Sequence, residues 1–318
     1  MAADDKPNIT IVGYTGWLWN AEADWKDAFE AEGFNVIFLD ELATEAQIRQ
    51  AAKRSELLLW ISSRLNHSKR FMSSLSRYCV TAGWHADLFW GLSRPNWKRS
   101  AMWAADFVFT ADGGHAEDWE KMGVNHKWLL PGVRRRWTQD EGRLRASDKC
   151  DVAFIGSNGG HYHKQWTYRA DLIAALREMC ERNGWKFKNP GGDTRRLERN
   201  RRMNDFYRSA KVTVGDSLCL DREKSLYWSD RVYEATGRGG LLIMPKIEAL
   251  SVQSENQVPM YGWGDWTALE RKIGAFLSDS GANADTRSVC RDWTARNHTY
   301  NNRVRTLLEE TGVGNDFI

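Results

Sequence analysis

The residues with the clearest chemical potential lie in one short segment, residues 229–240, which precedes the apolar run 241–245. The spacing predicts a short helix whose first turn carries Asp230 and Arg231, followed by a glycine-rich turn and a buried strand. A helix N-terminus beside an arginine is a suitable site for a diphosphate. Glu234, one turn further on, can accept hydrogen bonds from two ribose hydroxyls. The segment therefore indicates a nucleotide, and more specifically a nucleotide-sugar.

Further donor-binding candidates lie in and just before the same segment. Arg238 is a second candidate for the diphosphate, or alternatively a cation at the C-terminal end of the helix. Gly239, in the glycine-rich turn, is included in the predicted donor site. Asp216 and Ser217 end a predicted strand and are placed to hold a base or a sugar hydroxyl. A helix cap or an Asx turn is an equal alternative for this pair.

A glycine-rich loop at residues 156–160 follows another predicted strand. Gly156 and Ser157 there can bring backbone N–H groups close to a phosphate. The loop lacks the full spacing of either the dinucleotide or the P-loop fingerprint, so it is weak evidence by itself. Lys164 follows directly, in a stretch that is either a solvated loop or a loop over the nucleotide.

The first half of the chain offers a candidate general base and several aromatic platforms. Asp87 is the preferred base for an acceptor hydroxyl and His85 the second choice, although a histidine among aromatic residues is often structural. The chain has 17 tryptophans, most of which are expected to fill cores. Those beside predicted loops are candidates for stacking on a sugar or a base, namely Trp17, Trp19, Trp84, Trp90 and Trp97.

Strands alternate with helices along the chain, which predicts an α/β fold with parallel sheets. Predicted strands at 8–13, 35–39, 56–61, 77–81 and 107–110 form the first series, and those at 152–156, 211–215 and 241–244 form the second. Helices are predicted at 44–54, 266–278 and 285–311. A polar, charged stretch at 132–149 separates the two series. We therefore expect two Rossmann-like domains, 1–145 and 146–318, that face a central cleft and bind ligands at the strands' carboxyl ends.

Three segments together resemble spore-maturation-protein-B-like glycosyltransferases, a bacterial and phage branch of the two-Rossmann-domain (GT-B) enzymes. The first is the donor motif at 229–240, and the second is 151–157, which is similar to the strand that opens the family's second domain. The third is the C-terminal stretch 293–300 with Arg303, which contains His-Thr-Tyr. The resemblance covers most of residues 150–310.

The resemblance implies a nucleotide-sugar-dependent glycosyltransferase with its donor on the C-terminal domain and its acceptor on the N-terminal domain. A UDP-sugar is the first expectation for the donor, and Lys164 or Arg169 would steady the departing diphosphate. The loop that contains Tyr14 would border the acceptor. No permanently bound cofactor is expected. No metal is expected either, since arginine, lysine and backbone donors can stabilise the leaving diphosphate and the chain lacks a DxD-type motif. The five cysteines are scattered without a CxxC pair, which argues against a zinc site.

The acceptor is left open by the sequence. Basic clusters at 134–136 and 195–202, with Trp97, Lys98 and Arg99, favour DNA that carries a hydroxymethylated pyrimidine. A protein or a cell-surface glycan is the alternative acceptor, and a non-catalytic carbohydrate- or DNA-binding module is the alternative of another class. A Rossmann oxidoreductase is disfavoured because the first strand is followed by GxxG only. The polar N-terminus and the lack of a long apolar run predict a cytoplasmic protein, which would be the host cytoplasm for a phage enzyme.

Overall fold

The computed structural model describes residues 6–17, 20–61, 64–158 and 165–314. Contacts divide the chain into two compact units. Unit 1 comprises Met1–Arg134 with Tyr300–Ile318, and unit 2 comprises Arg135–Thr299. The sequence predicts a single boundary near residue 145, whereas the contacts group the C-terminal segment with the N-terminal part of the chain.

Strands and helices alternate through most of the described chain. The strands are β1 (Asn8–Gly13), β2 (Asn35–Asp40), β3 (Leu57–Trp60), β4 (Val80–His85), β5 (Phe107–Thr110), β6 (His126–Trp128), β7 (Cys150–Ala153), β8 (Phe187–Lys188), β9 (Ala210–Val214), β10 (Leu242–Pro245) and β11 (Met260–Tyr261). The helices are α1 (Ala21–Ala31), α2 (Glu45–Ala52), α3 (Lys69–Leu75), α4 (Ala116–Lys121), α5 (Arg135–Gln139), α6 (Tyr168–Asn183), α7 (Arg201–Ser209), α8 (Arg231–Gly237), α9 (Glu248–Gln253), α10 (Trp266–Ser278), α11 (Ser280–Asn297) and α12 (Tyr300–Thr311). None of the described helices combines the length and apolar character that a membrane-spanning helix requires.

Unit 1 contains a six-stranded sheet in the order β2-β1-β3-β4-β5-β6, with every pair parallel. Strand β3 is buried at every position, as expected for a parallel sheet that is covered on both faces. The strand order reverses between β1 and β3. In open sheets of this type, ligands bind beyond the carboxyl ends of the strands beside such a reversal.

Aromatic side chains form much of the core on one face of the unit 1 sheet. The Trp25 ring lies 5.4 Å from Trp84 and 5.6 Å from Tyr300, the first residue of α12. The Trp84 indole N–H donates to the Leu129 carbonyl at 3.1 Å, and its side chain is fully buried. The prediction that Trp84 lies beside a loop is therefore wrong, because this residue is a core side chain of β4.

Strand β4 begins and ends later than the predicted strand 77–81. Residues 76–79 instead complete the turn after α3, where the Tyr78 N–H donates to the Leu75 carbonyl at 2.8 Å. The strand then continues through Gly83, where a Cβ atom would lie 2.4 Å from Met102 Cγ, so the close packing on this strand requires glycine. As a consequence His85 is the last residue of the strand rather than part of the following loop.

Unit 2 contains a five-stranded parallel sheet in the order β11-β10-β9-β7-β8. Its strand order reverses between β7 and β9, as in unit 1 between β1 and β3. The largest core cluster of this unit lies between the sheet and helices α6 and α10, where Leu172, Leu176 and Ile273 are fully buried. The helix predicted at 285–311 is two helices, because α11 ends at Asn297 and α12 begins at Tyr300.

Candidate functional site

A cavity of about 360 Å³ lies in unit 2, where the chain leaves β7 beside the reversal of strand order. It is bordered by the loop after β7, by α8 and by the segment that leads into α7. Of the predicted donor-binding residues, the structure brings these to its wall: Gly156, Ser157, Asp230, Arg231 and Glu234. Residues from the two predicted motifs, about 75 positions apart in the sequence, therefore meet at one site.

Glu234 presents an unsatisfied carboxylate oxygen in this cavity wall. The residue is only 3% exposed, and its Oε2 accepts a hydrogen bond from Arg238 Nε at 2.6 Å. Its Oε1 is buried and has no hydrogen-bond partner. A buried acceptor without a partner carries a substantial desolvation penalty, which a hydroxyl donor from a ligand would remove.

Arg238 does not line the cavity, which corrects its predicted contact with the diphosphate. Its guanidinium is buried and donates to Glu234, to Asn204 Oδ1 at 2.6 Å and to two backbone carbonyls. It also lies 5.0 Å from the centre of the Trp137 ring. Its guanidinium thus makes four hydrogen bonds within the protein, and the one from Nε holds Glu234 in place. Gly239 follows it with a φ of 77° and also lies outside the cavity wall.

Arg231 lines the cavity and is held by protein carbonyls on one side. Its Nε donates to the Ile155 carbonyl at 3.1 Å and its Nη1 to the Asp216 carbonyl at 2.7 Å. Its Nη2 makes no hydrogen bond to a described residue and lies 3.1 Å from the position that a Cβ atom on Gly156 would occupy. Any larger residue at position 156 would therefore crowd the free end of this guanidinium. Burial lowers the pKa of Arg231 from its ordinary value.

Asp216 and Ser217 lie behind the cavity rather than in its wall. The Asp216 carboxylate is fully buried and accepts from Arg169 Nε at 2.9 Å and Arg231 Nη1 at 3.0 Å. These two cations hold the pKa of Asp216 below its ordinary value in spite of burial. Ser217 Oγ accepts from the Ser229 N–H at 2.9 Å, which fixes the chain just before α8.

Arg169 lines the cavity together with Ser157. Its Nη1 donates to Ser157 Oγ at 3.3 Å, and its guanidinium lies 5.9 Å from the centre of the Phe154 ring. Lys164, the other candidate for the departing diphosphate, lies outside the described residues. Arg169, the second residue of α6, is thus the candidate for this role whose position the structure gives.

Sequence reasoning missed a third wall of the cavity, which is formed by Pro190, Gly191, Arg196, Leu197 and Arg199. Arg196 and Arg199 both line it. Arg199 forms an ion pair with Asp230, whereas Arg196 is exposed and makes no ion pair or hydrogen bond with a described residue. The sequence does contain a pattern that could have indicated this wall, since basic residues follow the turn residues Pro190 and Gly191. It was not used because basic clusters usually lie on a solvated face.

The remaining basic clusters are largely occupied by ion pairs within each unit. In unit 1, Arg134 is buried and pairs with Asp24. In unit 2, Arg202 pairs with Asp148 through two hydrogen bonds. The suggestion that the clusters at 134–136 and 195–202 follow a nucleic-acid backbone is therefore weakened, since these arginines stabilise the protein itself.

His85 and Asp87 lie at the carboxyl end of β4 in unit 1, but their side chains do not form a hydrogen-bonded pair. The Asp87 N–H donates to His85 Nδ1 at 3.1 Å, so Nδ1 must be unprotonated and the neutral ring carries its proton on Nε2. Burial lowers the pKa of His85, which favours this neutral form. The Asp87 carboxylate is half exposed and pairs with Arg94 at 3.1 Å.

The predicted acceptor residues lie on two different loops of unit 1. Tyr14 and Trp17 follow β1, with ring centres 5.8 Å apart, and the Trp17 side chain is 63% exposed. Trp90 lies after β4 and packs against Trp97, and the Lys98 ammonium lies 4.7 Å from the Trp90 ring centre. The structure does not place Trp90 in contact with the Tyr14 loop. Trp19 lies outside the described residues.

The C-terminal motif contacts the same helix that carries the donor residues. His298 stacks on Tyr233 of α8 at 4.5 Å and lies 4.4 Å from the Trp293 ring of α11. This packing explains why the two motifs occur together in one chain, since one supports the helix that the other forms. In the described part of the chain, no group of three or more His, Cys, Asp or Glu side chains is placed to hold a metal ion.

Comparison with known proteins bears directly on this site. The model of a family described as "glycosyl transferase-like" matches residues 142–309, more than half of the chain and all of the cavity wall. The chain belongs to this family. It is therefore a member of a glycosyltransferase family, and its two parallel sheets match the GT-B glycosyltransferase structures. No curated protein sequence matches the chain.

Solved structures similar to the chain include an α-glucosyltransferase in complex with UDP and DNA. The complex with a 13-mer that contains a central A:G mismatch gives a TM-score of 0.70 at 10% identity, covering 96% of this chain and 99% of that one. The complex with a 13-mer that contains an HMU base gives 0.69 at 10% identity, covering 96% and 100%. The α,α-trehalose 6-phosphate synthase from Burkholderia multivorans gives 0.58 at 10% identity, covering 96% of each chain. At these identities the similarity establishes the fold.

Proposed function

We propose that the protein transfers a sugar from a nucleoside diphosphate sugar, with a UDP-sugar as the first candidate, to an acceptor hydroxyl. The observation that carries the proposal is the buried Glu234, which lines a cavity together with several arginines and whose Oε1 has no hydrogen-bond partner. A carboxylate acceptor beside guanidinium donors fits the hydroxyls of a ribose and the phosphates attached to it. Several structural neighbours were solved with UDP.

The charges around the cavity match a diphosphate. Among the described residues, five arginines in or directly behind its wall face three carboxylates, which leaves two positive charges. These groups are Arg169, Arg196, Arg199, Arg231, Arg238, Asp216, Asp230 and Glu234. The diphosphate of a nucleotide-sugar carries two negative charges, so the site can neutralise it without a divalent cation. Metal independence is accordingly part of the proposal.

The chemistry proposed is displacement at the anomeric carbon of the donor sugar. The arginines stabilise the charge that develops on the leaving diphosphate, which is where electrostatic catalysis is most effective. Asp87 is the proposed base for the acceptor hydroxyl, because its Oδ1 is free of hydrogen bonds to described residues while Arg94 holds Oδ2. His85 is less suited to this role, since its Nε2 carries a proton and can only donate in the neutral form.

We propose DNA with a hydroxymethylated pyrimidine as the acceptor to test first. One of the similar structures is an α-glucosyltransferase in complex with DNA that contains an HMU base. In this chain, exposed Lys98 lies 4.7 Å from the ring centre of Trp90 and 5.4 Å from that of Trp97, which combines a phosphate-binding cation with stacking surfaces, and exposed Arg99 follows it in the chain. A base within a duplex must be flipped out before its hydroxymethyl group can be reached.

The narrower affiliation with spore-maturation-protein-B-like enzymes, a phage origin and a cytoplasmic location belong to the same proposal. The affiliation and the phage origin rest on the motifs at 151–157, 229–240 and 293–300 with Arg303, whereas the cytoplasmic location rests on the lack of a long apolar run.

A ligand panel followed by a transfer assay tests the function. Thermal stability is measured with UDP, other nucleoside diphosphates, UDP-sugars and nicotinamide cofactors. A ligand at about 100 times its Kd adds roughly 2.7 kcal/mol to the native state, which for this chain length is a shift of several degrees. Release of nucleoside diphosphate is then measured with hydroxymethylated and unmodified DNA. Stabilisation by nicotinamide cofactors alone, or by no nucleotide, would contradict the proposal.

A further inference from the structure

Two cavity-lining arginines share one buried carboxylate. Asp216 Oδ2 accepts from Arg169 Nε at 2.9 Å and from the Trp166 indole at 3.3 Å, while Oδ1 accepts from Arg231 Nη1 at 3.0 Å. Asp216 itself is completely buried and lies just beyond β9. Among the described residues, this carboxylate accepts three hydrogen bonds, two of which come from arginines that line the cavity.

The same carboxylate fixes where the two guanidiniums point. Arg169 and Arg231 lie 5.9 and 5.3 Å from the centre of the Phe154 ring, so one buried aromatic ring supports both. Without Asp216, two like charges at this spacing would repel one another in a poorly solvated site. With Asp216 between them, Arg231 keeps Nη2 directed past Gly156, and Arg169 keeps Nη1 beside Ser157.

We propose that Asp216 is the positioning residue of the donor site, which aligns Arg169 and Arg231 on the two phosphates of the nucleotide-sugar. The inference rests on the proposed function. A positioning role and a purely electrostatic role for Asp216 predict opposite effects on UDP binding. Asp216→Asn removes a negative charge beside the phosphates, so a purely electrostatic role would strengthen UDP binding. A positioning role weakens it, because the amide nitrogen can no longer accept from an arginine.

The test measures the Kd of UDP and of uridine by calorimetry for the wild type and the Asp216→Asn variant. The expected result is at least a tenfold weaker affinity for UDP with uridine affinity within twofold of wild type. The control is Asp148→Asn, which removes a charge from another buried carboxylate paired with an arginine, Arg202, away from the cavity. It should lose stability and keep its affinity for UDP.

Arg169→Lys provides a second variant that does not depend on a buried substitution. This side chain is partly exposed, and lysine keeps the charge while losing the Nε contact with Asp216. The proposal predicts weaker UDP binding for this variant as well. Unchanged or tighter UDP binding in either folded variant overturns the role of Asp216. Failure of the wild type to bind UDP or any other nucleoside diphosphate would instead overturn the proposed function.

Discussion

The carboxyl ends of the two sheets differ in how their polar groups are held. In unit 2 the ionic groups around the cavity fix one another, as Glu234 is held by Arg238 and Asp216 by two arginines. In unit 1 the carboxyl end of β4 is bordered by packed aromatic rings, with Trp90 and Trp97 side by side. The ionic groups that remain there are more exposed, and Asp87 is half open to solvent.

This difference fits two kinds of ligand. A diphosphate has a fixed charge and shape, so a preorganised set of guanidiniums recognises it well. An acceptor is recognised mainly by its rings and hydroxyls. Aromatic surfaces can bind such groups without the exact placement of side chains that a diphosphate requires. The comparison therefore predicts that substitutions in unit 2 change donor affinity, whereas substitutions in unit 1 change transfer or acceptor affinity.

The sharpest separation of the two regions is expected from Asp87→Asn. Loss of a general base reduces the rate of transfer by about 100- to 10,000-fold. The Kd of UDP should stay at the wild-type value, because every described residue that lines the unit 2 cavity belongs to unit 2. Steady-state transfer and calorimetric UDP binding check both parts. Normal turnover in this variant would mean that another residue is the general base, and His85→Gln is then the next variant to measure.

Glu234→Gln is expected to have the next largest effect, on donor binding. The amide cannot replace a charged acceptor for ribose hydroxyls, so UDP affinity should fall by about 10- to 100-fold. Stability should also fall, because buried Arg238 loses its counter-ion. The matched control is Glu198→Gln, a more exposed glutamate that does not line the cavity and lies 3.8 Å from Arg195. Equal UDP affinity in wild type and Glu234→Gln would remove this residue from the donor site.

Arg196→Gln tests whether the exposed wall of the cavity contributes to UDP binding. We expect UDP affinity to fall by about fivefold, since one charge-assisted contact to phosphate is lost at an exposed position. Uridine affinity should not change. Arg195→Gln is the control, because Arg195 is the neighbouring arginine, is 92% exposed and does not line the cavity. If the two variants bind UDP equally well, UDP affinity depends on the net charge around the site and not on a contact from Arg196.

The smallest effect is expected in unit 1, for Lys98→Gln. If DNA is the acceptor, each lost phosphate contact weakens binding only a few-fold but lowers the slope of log affinity against log salt by about one. Fluorescence anisotropy with labelled DNA over a range of salt concentrations measures this slope. The matched control is Lys121→Gln, a highly exposed lysine on α4 that pairs with Glu117. Identical slopes for the two variants and the wild type would argue against a phosphate contact at Lys98.

Much of the local structure could be predicted because it depends on neighbouring residues. Strand β1 has the predicted bounds, and α8 follows from Asp230, the helix-forming residues after it and the glycine-rich turn. The prediction of β4 failed by three or four residues because the turn after α3 uses residues that also suit a strand. The break between α11 and α12 was missed since no proline or glycine marks it.

The sequence by itself determined the fold class, the family motifs and the identity of Glu234 and Arg231 as donor-site candidates. These conclusions depend on hydrophobic periodicity and on short motifs, both of which are local properties. Only the tertiary structure decided which charged side chains reach the cavity. Arg238 is four residues from Glu234 and turns behind it, whereas Arg196 comes from a distant loop and lines the wall. The physical reason is that a buried charge requires an oppositely charged or hydrogen-bonding partner close to it. The fold, and not the distance along the sequence, determines which group lies close enough.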